Sequence, residues 1–229
     1  MARGFSNIIC NINRCDHGLA PSGLIILAGG QGQRLGGQNK ALKSWQGQPI
    51  LKHLLQQACA LLQFEQIVVV ANQDLLAIEA IIRQSACRER IQCVSDCQPG
   101  FLGPLIGIAS GLAEIKASQP NSWVQLWPVD SPGSMQKVMH FLQQNPMQNT
   151  KSKPLILLPH DGNRPQPLFA QISTDILPEL TKAIQQGRYG VTQLFQSLSH
   201  QKISVASLTD ELLNLNTESQ WHKAQDDFE

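Results

Sequence analysis

A chain of 229 residues with 42% hydrophobic content is long enough to bury one sizeable core and is most simply a single domain. Eighteen basic residues against seventeen acidic ones give a net charge of +1, which supplies no global field to attract nucleic acid or an anionic membrane, so any anion site has to be local. No window approaches the roughly eighteen consecutive apolar residues of a membrane-spanning helix, and residues 1–22 lack the apolar core and small-residue cleavage site of a signal peptide. The reading is a cytoplasmic protein, with a disordered leader over 1–22 and one domain over 23–229.

The first element is Leu24 to Leu27, four apolar residues in a row, which predicts a strand buried on both faces in a parallel sheet. Gly29, Gly30 and Gly32 follow at once, and Arg34 and Lys40 then add positive charge. Glycine lets backbone amides turn inward and approach an anion without a side chain in the way. The loop is therefore a candidate triphosphate cradle, with a tight glycine turn and solvated cations as the plainer alternative. A dinucleotide fingerprint needs G-x-G-x-x-G, and Gly30, Gly32 and Gly36 miss that spacing. The other familiar phosphate loop, G-x-x-x-x-G-K-[ST], places its lysine where Gln38 stands here.

Ile50, Leu51, Leu54, Leu55, Ala58, Leu61 and Leu62 recur at helical spacing behind Pro49, predicting a helix over 49–63. A strand at Ile67–Val70, a helix over 75–85, a strand at Ile91–Val94, a helix over 105–116 and a strand at 123–127 continue the alternation. Repeated βα winding of this kind predicts an α/β fold: a doubly wound, mostly parallel sheet with helices on both faces, joined by right-handed crossovers. A helix over 134–144, a strand at Leu155–Leu158, an antiparallel return over 167–171, helices over 174–186 and 191–198, a strand at 203–206 and a last helix over 218–226 complete the chain. The tryptophans at 45, 123, 127 and 221 read as packing residues. The six cysteines read as separate reduced thiols packed as small hydrophobes, since Cys87, Cys93 and Cys97 without a nearby histidine make an incomplete zinc set.

Ligands of open α/β sheets bind beyond the carboxyl ends of the strands. Asn72, Asp96 and Asp130 each follow a predicted strand by two or three residues, though a turn residue or helix cap would look the same. Asp130 lies in Pro128-Val129-Asp130-Ser131-Pro132, where flanking prolines stiffen the backbone and fix the carboxylate's direction. A carboxylate so held suits magnesium, which takes one or two protein oxygens and fills its other sites with water and phosphates. The competing role is a cap on the helix that follows.

The loop pattern L-A-G-G-x-x-x-R-[LM]-G-G-x-x-K resembles the signature of the nucleotidyltransferase superfamily, and within it the molybdenum cofactor guanylyltransferases, the MobA family. Asp96 ahead of the Gly103-Pro104-Leu105-Ile106-Gly107 turn, the P-x-D-x-P segment at 128–132, the His160-Asp161-Gly162 turn and the Asn214-Leu215-Asn216-Thr217 segment resemble further motifs of that family, in order. The resemblance implies a Rossmann-like fold and transfer of GMP from GTP to the terminal phosphate of molybdopterin, with release of pyrophosphate. It implies a nucleotide site of Leu27, Ala28, Gly29, Gly30, Lys40, Asn72, Asp96 and Asp130, catalysis by Lys40, Arg34 and Asp130, and Mg2+ held by Asp130 and Asn216. His160 and Arg164 become candidates for the pterin side. The implied partners are GTP, the molybdenum cofactor and, in transient contact, other cofactor-biosynthesis proteins or apo-molybdoenzymes. Asn39 stands where the family commonly has aspartate, and Ala71 where it tends to have asparagine. A cytidylyltransferase acting on a pterin or sugar-alcohol phosphate, or a nucleotide-binding relative without turnover, are the alternatives; cytidylyl relatives usually carry L-A-A-G at the loop, against Leu27-Ala28-Gly29-Gly30 here.

Overall fold

The computed structural model describes residues 20–30, 39–97, 103–144 and 153–227. In chain order the elements are β1 (Gly23–Leu27), a hairpin of β2 (Ser44–Trp45) and β3 (Gln48–Pro49), α1 (Ile50–Ala60), β4 (Gln66–Val70), α2 (Leu75–Arg83), β5 (Ile91–Val94), α3 (Pro104–Ser118) and β6 (Trp123–Pro128). The second half adds α4 (Met135–Gln144), β7 (Ile156–His160), β8 (Gln171–Ser173), α5 (Leu177–Gln185), α6 (Val191–Ser197), β9 (His200–Ser204) and α7 (Glu218–Asp227). The expected leader falls almost wholly outside the described residues.

The seven-stranded sheet runs β5-β4-β1-β6-β8-β7-β9. β1 pairs in parallel with β4 on one side and β6 on the other. All five residues of β4 are buried, because helices cover both faces and leave an apolar β-branched run no solvent to avoid. Leu24 and Ile26 pack with residues of α1, α2, α4 and α7 on one face. Ile25 packs with α3, α5 and α6 on the other. The chain winds outward from β1 through β4 to β5, then α3 carries it back to β6, so the strand order reverses between β1 and β6. Such a switch point opens a crevice at the carboxyl edge. α3 approaches β1 closely because a β-carbon at Gly111 would meet the Ile25 side chain at 3.0 Å.

The later part differs in detail from the sequence reading. The antiparallel return comes at β8, later than expected: residues Pro167–Phe169 form a 3-10 turn, and β8 then pairs antiparallel with both β6 and β7. Proline cannot donate to a ladder, and the turn brings Phe169 edge-on to Trp127, with ring centroids 5.0 Å apart. The helix expected from 174 starts as a 3-10 turn, Thr174–Ile176, capped by the Ser173 hydroxyl. β9 begins at His200 and pairs in parallel with β7. The β2–β3 hairpin was not legible; Gln46 and Gly47 have φ of 48° and 76°, a mirror-image turn that asparagine usually announces.

Trp45, Trp123, Trp127 and Trp221 are all buried, as packing residues should be. The cysteine expectation needs correction. Cys59, at the end of α1, and Cys87, after α2, form a disulfide with Cα atoms 5.5 Å apart, while Cys93 and Cys97 are free. Packing of α1 beside α2 brings together two residues 28 apart in sequence, a proximity no local pattern announces.

Candidate active site

Leu27 is level with Val70 and Pro128 in the sheet, and Val70 with Val94. These four residues mark one carboxyl edge, and a cavity of about 380 Å³ opens directly beyond it. Leu27, Gly29, Gly30, Lys40, Asp96 and Asp130 all line it. Residues separated by as much as a hundred positions thus share one wall because their strands end in register. Arg34, with Gly32, Gly36 and Gly37 of the loop, lies outside the described residues. Ala28 does not line the cavity. Its side chain is buried in the core and its N–H donates to the Val70 carbonyl at 2.8 Å, extending the sheet by one residue.

Asp130 is held by the chain around it. Val129 N–H donates to Leu27 C=O at 3.1 Å, and Asp130 C=O accepts from Leu215 N–H at 2.8 Å. That second bond carries the next residue, Asn216, to the carboxylate. Lys40 Nζ then lies 2.6 Å from Asp130 Oδ2 and 2.6 Å from Asn216 Oδ1. The Asn216 amide nitrogen donates to Asn214 C=O at 3.3 Å, which turns its oxygen toward the lysine. Behind Asp130 the loop is pinned from α1: Gln57 donates to Gly133 C=O at 3.1 Å and accepts from Met135 N–H at 3.0 Å. Ser134 N–H donates to Glu211 at 2.7 Å, and the Ser134 hydroxyl accepts from Lys137 N–H at 3.3 Å. Capping of α4 therefore falls to Gln57, Glu211 and Ser134, and Asp130 is left to face the cavity.

One carboxylate oxygen and one amide oxygen converging on a single cation make a hard-donor pair, which suits a divalent ion that draws its remaining ligands from water and phosphate. The residues present fit magnesium on that ground.

Asp96 lines the cavity and Asn72 does not; Asn72 instead grips Asp96. Asn72 Nδ2 donates to Asp96 Oδ2 at 2.6 Å, and Asp96 N–H donates to Asn72 Oδ1 at 2.9 Å. Burial pushes the Asp96 carboxyl above the ordinary range, and the Asn72 amide pulls the other way. A β-carbon at Gly29 would come 3.2 Å from Asn72 Nδ2, and one at Gly107 would come 3.3 Å from Asp96 Oδ1. Both glycines keep space at this pair. Gly107, Gly103 and Leu168 line the cavity and were not singled out from sequence; the G-P-L-x-G turn was the available signal for the first two. Gly103 has φ of 101°, directly before α3, a conformation that favours glycine.

Asn39 does not leave Lys40 without support. Its side chain accepts from Ala41 N–H at 3.0 Å, capping the turn Lys40–Leu42, and donates to Asp74 at 3.1 Å. An amide can do both, where an aspartate would face the Asp74 carboxylate. Lys43 pairs with Glu218 and lies 5.1 Å from the Trp221 ring centre, so it ties this turn to α7. The 160–166 turn satisfies itself: the Asp161 carboxylate accepts from the N–H groups of Asn163 and Arg164, each at 2.8 Å, and from Gln166 at 2.6 Å. Those donors, the Arg164 N–H first, hold it at about 2. Neither His160 nor Arg164 lines the cavity.

Residues 24–203 match the family model described as the MobA-like NTP transferase domain. The chain is 33% identical to a molybdenum cofactor guanylyltransferase of Pseudomonas paraeruginosa, over 88% of this chain and 93% of that protein. It is 30% identical to the protein of the same name from Vibrio cholerae, over 84% and 86% respectively. Among solved structures it is similar to the molybdopterin-guanine dinucleotide biosynthesis protein A of Archaeoglobus fulgidus, with a TM-score of 0.69 at 21% identity, covering 90% of this chain and 98% of that one. It is also similar to a 4-diphosphocytidyl-2C-methyl-D-erythritol synthase of Anaerococcus prevotii, with a TM-score of 0.61 at 14% identity, covering 90% and 95%. At those identities the structural matches speak to the fold alone.

Proposed function

This chain belongs to the MobA-like NTP transferase family, and from that premise we propose that it transfers GMP from GTP to the terminal phosphate of molybdopterin. An oxygen of that phosphate attacks the α-phosphorus of GTP. The bond from the α-phosphorus to the bridging oxygen breaks, and pyrophosphate leaves with the electron pair. The product is the guanine dinucleotide form of the cofactor. The observation that carries this reading is that Lys40 and Asp130 line one cavity with Gly29 and Gly30 of the first loop, at the carboxyl edge of β1 and β6, with the Asn216 oxygen bonded to the same lysine.

The nucleophile arrives with the substrate, so the protein needs no nucleophilic side chain of its own. Its task is positioning and charge. Gly29 and Gly30 bring backbone to the phosphates, Lys40 offsets their charge, and Arg34 is proposed to join it. Asp96, steadied by Asn72, offers a carboxylate to the nucleoside. Magnesium held by Asp130 and Asn216 would neutralise charge on the phosphate oxygens. No helix among the described residues is long and apolar enough to cross a membrane. As part of the same proposal, the enzyme is cytoplasmic, forms one domain from residue 23 onward and meets its cofactor-handling partners in transient contacts.

Competition binding with GTP, CTP and ATP, paired with magnesium-dependent pyrophosphate release in the presence of molybdopterin, tests the proposal. GTP should win. Gly30 lines the cavity and a β-carbon there meets nothing within 4 Å, so Gly30→Ala should leave the fold intact and impair GTP use by taking space that the nucleotide needs. A wild-type preference for CTP would turn the assignment to a cytidylyltransferase, and normal GTP use by the variant would mean that Gly30 does not shape the nucleotide site.

A further inference from the structure

The Lys40 ammonium sits on the point where both candidate metal-binding oxygens converge, 2.6 Å from each. Magnesium on those oxygens would lie about 2.0–2.1 Å from each. Two cations sharing them at such range would repel strongly in a crevice where Lys40 and Asp130 expose only 17% and 14% of their side chains. We propose that Lys40 is a resident cation that keeps the metal position closed until a nucleoside triphosphate draws it away, so that the metal enters only together with the nucleotide.

The local structure separates what is fixed from what can move. The Lys40 backbone opens a 3-10 turn whose cap, Asn39, is anchored on Asp74, so its position does not depend on the ion pair. The side chain, with four rotatable bonds, is the mobile part. Lys40 lines the same cavity as Gly29 and Gly30. A triphosphate there offers several negative charges in competition with the single charge of Asp130. When the ammonium turns to the phosphates, Asp130 becomes a partly buried carboxylate without a counter-ion, and an uncompensated charge of that kind is costly. Together with the Asn216 oxygen and the phosphates it then attracts a divalent ion. Departure of pyrophosphate lets the ammonium return and expel the metal.

This rests on the cavity holding a nucleotide, and the test separates the two ideas. Mn2+, as the probe, is titrated by the electron-spin signal of the free ion, with and without GTP. Wild type should bind it at least about tenfold more tightly with GTP than GTP alone binds it. Without nucleotide, Lys40→Ala and Lys40→Met should each bind Mn2+ at least about tenfold more tightly than wild type, and adding Asp130→Asn should abolish that gain. Calorimetry in EDTA should show both Lys40 variants weakened toward GTP by about tenfold or more. Equal Mn2+ binding by wild type and both folded variants in the absence of nucleotide would overturn the proposal. So would wild-type Mn2+ binding that GTP leaves unchanged although GTP itself binds. If the variants gain Mn2+ but wild type binds no GTP, Lys40 still closes the metal position and it is the nucleotide assignment that fails.

Discussion

Asp130 takes its direction from residues far away in sequence: Leu215 holds its carbonyl, Lys40 its carboxylate, and Gln57 the loop behind it. Asp130→Asn should therefore lower pyrophosphate release by at least about a hundredfold, the scale of a lost charge-stabilising group. Unchanged release would remove Asp130 from the metal site. Asp96 gives a pH prediction. Burial raises its carboxyl, so ionising it costs the folded protein more than the unfolded chain. Its contribution to stability is full below the unfolded carboxylate range and is lost as pH rises through the raised folded value. If Asp96 accepts from the nucleoside as proposed, binding runs the other way, because the charged carboxylate is the better acceptor. GTP affinity should weaken as pH falls through that raised value, and Asp96→Asn should flatten the dependence; an unaltered profile in the variant would place the titration elsewhere. Asn39 shows how far residue type alone can be read: by position it is a departure from the family's aspartate, whereas in the structure the amide caps one turn and bonds Asp74.

At the scale of elements, the joint between β6 and α4 is the part on which the site depends. A β-carbon on Gly133 would lie 2.1 Å from the Glu211 carbonyl oxygen, and Glu211 also accepts from Ser134 N–H. Gly133→Ala must push these backbones apart. It should cost about 1–3 kcal/mol of stability, read by urea denaturation, and should lower activity because Asp130 shifts with the loop. Full stability in that variant would mean that the Ala206–Leu212 segment moves aside freely. The helices of the first half were legible from apolar residues at helical spacing, as in Ile50 to Ala58, and the central parallel strands from unbroken apolar runs, as in Ile67 to Val70. The 3-10 turn at Pro167–Phe169 and the two-residue strands β2 and β3 are too short to show a period, and the contacts of Phe169 and Trp45 with the core decide them.

For the whole molecule, the Cys59–Cys87 link ties the end of α1 to the chain after α2 and closes a loop of 28 residues that holds β4 and α2, and a cross-link of that span is worth about 3.5 kcal/mol through the unfolded state. Reduction, or Cys59→Ala, should lower the melting temperature measurably, with free-thiol titration rising in step; titration of all cysteines as thiols before any reductant is added would refute the link. Its detection matters because a reducing cytosol seldom keeps such bonds. Sequence by itself determined the α/β winding, the parallel strand at Leu24–Leu27 and the identity of Lys40, Asp96 and Asp130 as candidates, since apolar period and strand-end position are local properties written into neighbouring residues. Only the tertiary structure decided that the antiparallel return falls at β8 and lies between β6 and β7, that Ala28 faces the core while Gly107 and Leu168 line the cavity, that Asn72 grips Asp96, and that Lys40 lies between Asp130 and Asn216. Those outcomes depend on which strand ends stand side by side, and a contact between residues 90 or 176 positions apart is fixed by the packing of the whole sheet and its helices rather than by any neighbour in the chain.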